Sequence, residues 1–105
     1  MDYLRIWCKK DKIYLNEIYI YYKELFTDKQ QMYFEDYYMN DLSLSEIAEN
    51  YGISRNAVHN QLKIVEEKIL YYEETLGLKR KKEEINNLLK DKVDEKTLDK
   101  INEIL

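Results

Sequence analysis

The sequence predicts an all-α protein, and three observations lead to this fold class. The 105 residues contain no proline and only two glycines, whereas β-rich folds need many turns built from these residue types. Apolar residues recur at spacings of three and four, the period of an amphipathic helix. Two Ser/Thr-x-x-Glu/Gln segments mark helix starts. Because 45% of the residues are apolar, we expect one small helical domain with an appended arm.

The first two helices are predicted from their apolar faces. A first helix is expected from about Lys12 to Phe26, and Thr27 with Gln30 forms a capping box that begins a second. Asn40 and Asp41 end the second helix. The residues expected to face the core are Leu15, Ile18, Tyr19, Tyr22, Leu25, Phe26, Tyr33, Phe34, Tyr37 and Tyr38.

A helix-turn-helix is predicted between about residues 43 and 63. The short third helix begins at the capping box of Ser43 and Glu46. Ala48 is small enough for two helices to cross closely, and Gly52 can take the positive φ that a tight turn needs. The turn is completed by Ile53, the Ser54 cap, and the inward residues Val58 and Leu62 of the next helix.

A long fourth helix and a C-terminal arm are expected to follow. The fourth helix carries a heptad seam and ends at Gly77, so residues 1–77 form the domain and residues 78–105 the arm. Either the arm or a second chain in a homodimer must cover this seam, and the sequence leaves both open. The seam comprises Val58, Leu62, Val65, Ile69, Tyr72 and Leu76. The arm is predicted to form two helices, the second capped by Asp94, with Ile85, Leu88, Leu89, Leu98, Ile101, Ile104 and Leu105 inward.

The second helix of the motif offers a candidate nucleic-acid-binding face, comprising Arg55, Asn56, His59, Asn60 and Lys63. Arginine suits guanine edges, asparagine suits adenine, and lysine suits phosphate. A basic cluster, Lys79, Arg80, Lys81 and Lys82, is the second candidate element.

Charge leaves two alternatives open for these candidates. The net charge is −4, and residues 27–53 hold one base against six acids, whereas phosphate contacts need Lys and Arg. Both basic elements could therefore be ordinary solvated surface. An acidic face comprising Asp36, Asp41, Glu46 and Glu49 could instead meet a basic protein partner.

Several classes of protein have no support in the sequence. Cys8 is the only cysteine, so neither a disulfide within the chain nor a zinc site is expected, and no cofactor either. The sequence contains no recognisable nucleophile–base pair and no phosphate-binding glycine loop. The carboxylates of residues 66–67 and 73–74 are expected on an exposed helix face. We therefore expect that the protein is not an enzyme. No signal peptide or membrane span is recognisable, which predicts a cytoplasmic protein.

Three segments together resemble the YlxM-like family of small bacterial proteins. They are FTDKQQMYFEDYY at residues 26–38, DLSLSEIA at 41–48 and GISRNAVH at 52–59, in the family's order and spacing. The resemblance extends from about Ile13 to Leu76 and leaves residues 1–10 outside. Asn56 departs from the pattern, because many relatives carry glutamine there.

This resemblance implies a fold like sigma-factor region 4, extended by C-terminal helices. It also implies a non-enzymatic accessory or regulatory role in the signal recognition particle pathway. The implied partners are the particle's RNA, its GTPase, or both. Two alternatives remain: a DNA-binding transcriptional regulator, and a protein-interaction module that has lost nucleic-acid binding.

Overall fold

The computed structural model describes residues 12–105, which form six α-helices and no β-strand. The all-α prediction is therefore confirmed for this part of the chain. The predictions that concern Cys8 and the N-terminal residues lie outside the described residues. The helices are α1 (Lys12–Tyr22), α2 (Asp28–Tyr38), α3 (Leu44–Tyr51), α4 (Arg55–Leu76), α5 (Leu78–Leu89) and α6 (Glu95–Ile104), and a 3₁₀ turn, Lys23–Leu25, follows α1.

The predicted helix starts are confirmed by their hydrogen bonds. The Thr27 hydroxyl accepts from the Gln30 amide at 3.2 Å, and the Gln30 side chain accepts from the Thr27 amide at 3.1 Å. Ser43 and Glu46 repeat this arrangement at 3.1 and 3.0 Å, and the hydrogen bonds from Ser43 lower the pKa of Glu46. The remaining predicted caps, also present, are Ser54 for α4 and Asp94 for α6.

Removal of the α3 cap gives a first testable expectation. Ser43→Ala should lower the free energy of unfolding by about 1 kcal/mol, because the Glu46 amide loses its acceptor. Urea unfolding followed by circular dichroism measures this difference. Ser45→Ala is the matched control, since Ser45 is an exposed residue inside α3, where alanine is the better helix former. Equal stability of the two variants would contradict the capping role.

The core lies among α1, α2, α3 and α4. Its aromatic side chains stack in a row, with ring centroids 4.1 Å apart for Tyr19 and Phe34 and 4.4 Å apart for Phe34 and Tyr38. Val65 and Ile69, the centre of the α4 seam, are fully buried. The fully buried large side chains are Leu15, Ile18, Tyr19, Tyr22, Phe34, Ile47, Val58, Val65 and Ile69.

Apart from Leu76, the α4 seam is covered by α1, α2 and α3, which corrects the expectation that the arm or a second chain must cover it. α1 packs along α4, and its Tyr19 and Tyr22 are fully buried. Aromatic side chains of this size each cover a large apolar area, so a helix of eleven residues is long enough. The seam therefore supplies no reason for a homodimer.

Five residues predicted to face the core are exposed instead: Leu25, Leu76, Leu88, Ile104 and Leu105. Leu25 turns outward because the chain tightens to a 3₁₀ turn after α1, which changes the rotation per residue. Leu76 is exposed because it lies beyond Glu73, the α4 residue that is hydrogen bonded to α1. Leu88 lies on α5 and Ile104 on α6, where no residue is buried, and Leu105 follows the end of α6.

The C-terminal arm folds back on the domain through α5. α5 packs on α1 and α4, whereas α6 packs on α5. Lys79 joins the first turn of α5 to α1, since its Nζ lies 3.3 Å from a Glu17 carboxylate oxygen. The side-chain amides of Asn86 and Asn102 hydrogen bond reciprocally, both at 2.8 Å, and so pair α5 with α6.

Two carboxylates expected on an exposed helix face are buried, which corrects that prediction. Glu66, 5% exposed, accepts a hydrogen bond from the Tyr38 hydroxyl. Glu73, 9% exposed, accepts from the Tyr22 hydroxyl at 2.6 Å and from the second and third amides of α5 at 3.2 and 3.1 Å. Burial and the hydrogen bond to Glu73 raise the pKa of Tyr22 to about 12. Both acids thus serve the fold, and Glu73 caps α5 from another helix.

Candidate nucleic-acid interface

The helix-turn-helix has the geometry that its sequence predicts. α3 ends at Gly52, whose φ of +65° and ψ of +35° are left-handed. The Ile53 amide then donates to the Ala48 carbonyl at 3.0 Å, which closes the turn. Ala48 and Val58 are buried where α3 and α4 meet. The turn therefore holds the start of α4 in a defined position next to α3.

The first turns of α4 place the five candidate side chains on one exposed face. Their positions span about 140° of the helix surface, with Arg55 at the edge next to Leu62 and Asn60 at the far edge. All five are exposed, and none makes a hydrogen bond or ion pair to another residue of the described chain. We call this the recognition face: Arg55, Asn56, His59, Asn60 and Lys63.

A groove runs beside the recognition face and encloses about 450 Å³. Arg55, Asn56 and His59 line it together with Tyr37 of α2 and Leu44 of α3. Sequence reasoning assigned Tyr37 to the core and gave Leu44 no role, because their periodicity alone does not separate a core position from a groove edge. Tyr37 is half-buried, and Lys12 Nζ lies 4.5 Å from the centre of its ring. An aromatic ring at the edge of a groove suits stacking on an unpaired base.

Part of the predicted acidic face is engaged within the protein. The Tyr51 hydroxyl donates to Asp36 at 2.7 Å, a hydrogen bond that raises the pKa of Tyr51 to about 12. Asp41 lies 4.0 Å from Lys12, and Glu46 belongs to the α3 capping box. Glu46 and Glu49 nevertheless remain on the α3 surface, so α3 presents negative charge next to the recognition face.

The basic cluster lies at the other end of α4. From His59 to Gly77 the helix rises about 27 Å, so one chain does not bring the cluster and the recognition face together. The Lys79 side chain is only 15% exposed, between Glu17 and Glu83, and its hydrogen bond to Glu83 raises the pKa of Lys79. Arg80 lies 3.7 Å from Glu84, and the Lys82 ammonium lies 5.7 Å from the centre of the Tyr21 ring. Lys81 is exposed.

The sequence profile of the UPF0122 family, described as a helix-turn-helix protein, YlxM / p13 like, matches residues 9–104. The chain belongs to this family. Its helix-turn-helix character points to nucleic acid as the class of ligand. The family match is longer than the similarity recognised in the sequence, because it includes the C-terminal arm.

Individual members of the UPF0122 family align over most of the chain. A UPF0122 protein of Thermoanaerobacter sp. (strain X514) is 45% identical over 83 residues, which cover 79% of this chain and 70% of the relative. A UPF0122 protein of Mycoplasma capricolum is 43% identical over an alignment that covers 78% of this chain and 76% of the relative. One from Desulforamulus reducens is 50% identical over 64 residues, 61% of this chain and 55% of the relative.

Neither a metal site nor a membrane span is found within the described residues. Residues 12–105 hold no group of three or more His, Cys, Asp or Glu side chains placed to hold a metal ion. None of the helices in the described part is both long and apolar enough to span a membrane.

Proposed function

We propose that this protein is a non-enzymatic accessory protein that binds the RNA of the signal recognition particle through its recognition face. One observation carries the nucleic-acid part of the proposal. Five polar side chains share an exposed face and make no hydrogen bond or ion pair within residues 12–105, whereas Gln61 and Glu66 on the same helix are hydrogen bonded. The particle itself is proposed from the family resemblance.

The charge of α3 favours RNA over duplex DNA. In DNA-binding helix-turn-helix proteins the first helix of the motif crosses the phosphate backbone. Here that helix is α3, and its surface carries Glu46 and Glu49, which phosphates would repel. RNA loops and bulges are recognised instead by local contacts to splayed bases, with stacking on aromatic side chains. The groove next to Arg55 and Tyr37 suits such contacts.

The proposal is tested by the affinity of the purified full chain for the particle's RNA. Fluorescence anisotropy at several salt concentrations, with an unrelated RNA and a duplex DNA as competitors, measures both affinity and its salt dependence. Preferred binding of duplex DNA would favour a transcriptional regulator. Binding to the particle's GTPase without any nucleic-acid affinity would favour the protein-interaction module, and either result would contradict the proposal.

The recognition face itself is tested with the double variant Arg55→Ala/Lys63→Ala. We expect the affinity for RNA to fall at least about tenfold, and the slope of log affinity against log salt to decrease by roughly one to two units, because two cationic contacts are lost. Lys96→Ala/Lys100→Ala is the matched control, since both lysines are exposed on α6. Equal affinity and slope in wild type and the Arg55/Lys63 variant would show that RNA binds elsewhere.

A further inference from the structure

The side of α4 that points away from the core carries a short mixed surface. Ile64 and Tyr71 are 37% and 49% exposed and lie seven residues apart, two turns along the helix. Glu67 and Lys68 lie between them, and all four line one groove. We call these four residues the outer face of α4. It lies opposite Val65 and Ile69, which are fully buried.

The order of residues on the outer face is self-complementary. Along α4 the four residues are apolar, acidic, basic and apolar in turn. In a helix that runs in the opposite direction, the acidic and the basic residue exchange places. When two such helices pack antiparallel about a two-fold axis between residues 67 and 68, Glu67 meets Lys68 of the second copy. Ile64 then meets Tyr71 of the second copy. An interface about a two-fold axis requires a surface that complements itself in this way.

We propose that the outer face of α4 binds a second copy of this chain in the antiparallel arrangement just described. Neither Glu67 nor Lys68 forms an ion pair within residues 12–105, and adjacent residues on a helix do not face each other. The second copy therefore gives each charge a partner that residues 12–105 of its own chain do not supply. The exposed Tyr71 supplies the aromatic contact that commonly anchors interfaces.

The size of the outer face sets the strength of the dimer. The contact is one helix wide and about two turns long, which is small for a stable interface. The dimer should therefore be weak and should dissociate on dilution. It should also weaken as the salt concentration rises, since its charge pairs remain near solvent.

The dimer would have a consequence for RNA binding, and this consequence rests on the proposed function. The antiparallel arrangement places Gly77 level with Val58 of the second copy. The start of α5, with its basic cluster, then lies next to the recognition face of the other chain, although the two are about 27 Å apart within one chain. A two-fold axis perpendicular to the helix pair also keeps both recognition faces on the same side.

Sedimentation equilibrium of the full chain without nucleic acid tests the interface. We expect a reversible monomer–dimer equilibrium for the wild type. Glu67→Lys and Lys68→Glu should each raise the dissociation constant by at least about tenfold, because two attractive charge contacts become repulsive. The double variant Glu67→Lys/Lys68→Glu should restore dimerisation, because the exchanged charges meet again across the axis.

The control is Asp99→Lys, a reversal of an exposed charge on α6, which should dimerise like the wild type. Circular dichroism checks that every variant is folded. A wild type that stays monomeric when concentrated would overturn the interface, and so would a dimer that tolerates both single reversals or that the double variant fails to restore. RNA binding by a monomeric protein would leave the proposed function standing, so the two failures are distinguishable.

Discussion

Glu73→Ala is expected to lower the free energy of unfolding by about 3 kcal/mol. Its carboxylate accepts three hydrogen bonds, from the Tyr22 hydroxyl and from the amides of Lys79 and Arg80. Tyr22 is fully buried, so water cannot easily replace the lost acceptor. Hydrogen bonds to a charged group contribute more than neutral ones, and unsatisfied buried donors carry the full cost of desolvation.

Two further variants separate this capping role from a simple loss of charge. Glu74→Ala is the matched control, because Glu74 is the exposed neighbour on the same helix, and it should change stability by less than about 0.5 kcal/mol. Glu73→Gln keeps one acceptor oxygen and should fall between the two. Urea unfolding measures all three, and hydrogen exchange of the α5 amides should rise in Glu73→Ala. Equal stability of Glu73→Ala and Glu74→Ala would show that the carboxylate does not hold α5.

Gly52→Val is expected to lower the free energy of unfolding by about 1–3 kcal/mol. The backbone at Gly52 has a φ of +65°, and a β-branched residue tolerates this conformation badly. A Cβ added at this position would meet no atom within 4 Å. The cost is therefore conformational and does not come from a steric clash with the rest of the protein.

Because a Cβ added at Gly52 would meet no atom within 4 Å, a second substitution can test the conformational cost alone. Gly52→Asn should cost much less than Gly52→Val, because asparagine adopts the left-handed conformation more readily. Thermal unfolding of both variants tests this order. An unchanged midpoint for Gly52→Val, or equal midpoints for the two variants, would mean that the left-handed turn does not limit stability. Because this turn positions the recognition face, Gly52→Val should also weaken RNA binding if the proposed function is correct.

The sequence by itself determined the features that depend on neighbours three or four residues away. The capping boxes at Thr27 and Ser43 and the end of α3 at Gly52 involve groups within one helical turn, so local chemistry is sufficient to predict them. The recognition face follows in the same way. The helical period places residues 55, 59 and 63 in one row along α4, because each is four residues from the next.

Only the tertiary structure decided which side chains meet across long separations in sequence. Tyr22 and Glu73 are 51 residues apart, and Tyr38 and Glu66 are 28 apart, so no local pattern marks these acids as buried. The position of Lys79 between Glu17 and Glu83 likewise depends on how α5 folds back onto α1. The burial of these carboxylates and the position of Lys79 depend on which helices pack together. A carboxylate is buried only where hydrogen-bond donors from other elements replace the water molecules that would otherwise solvate it.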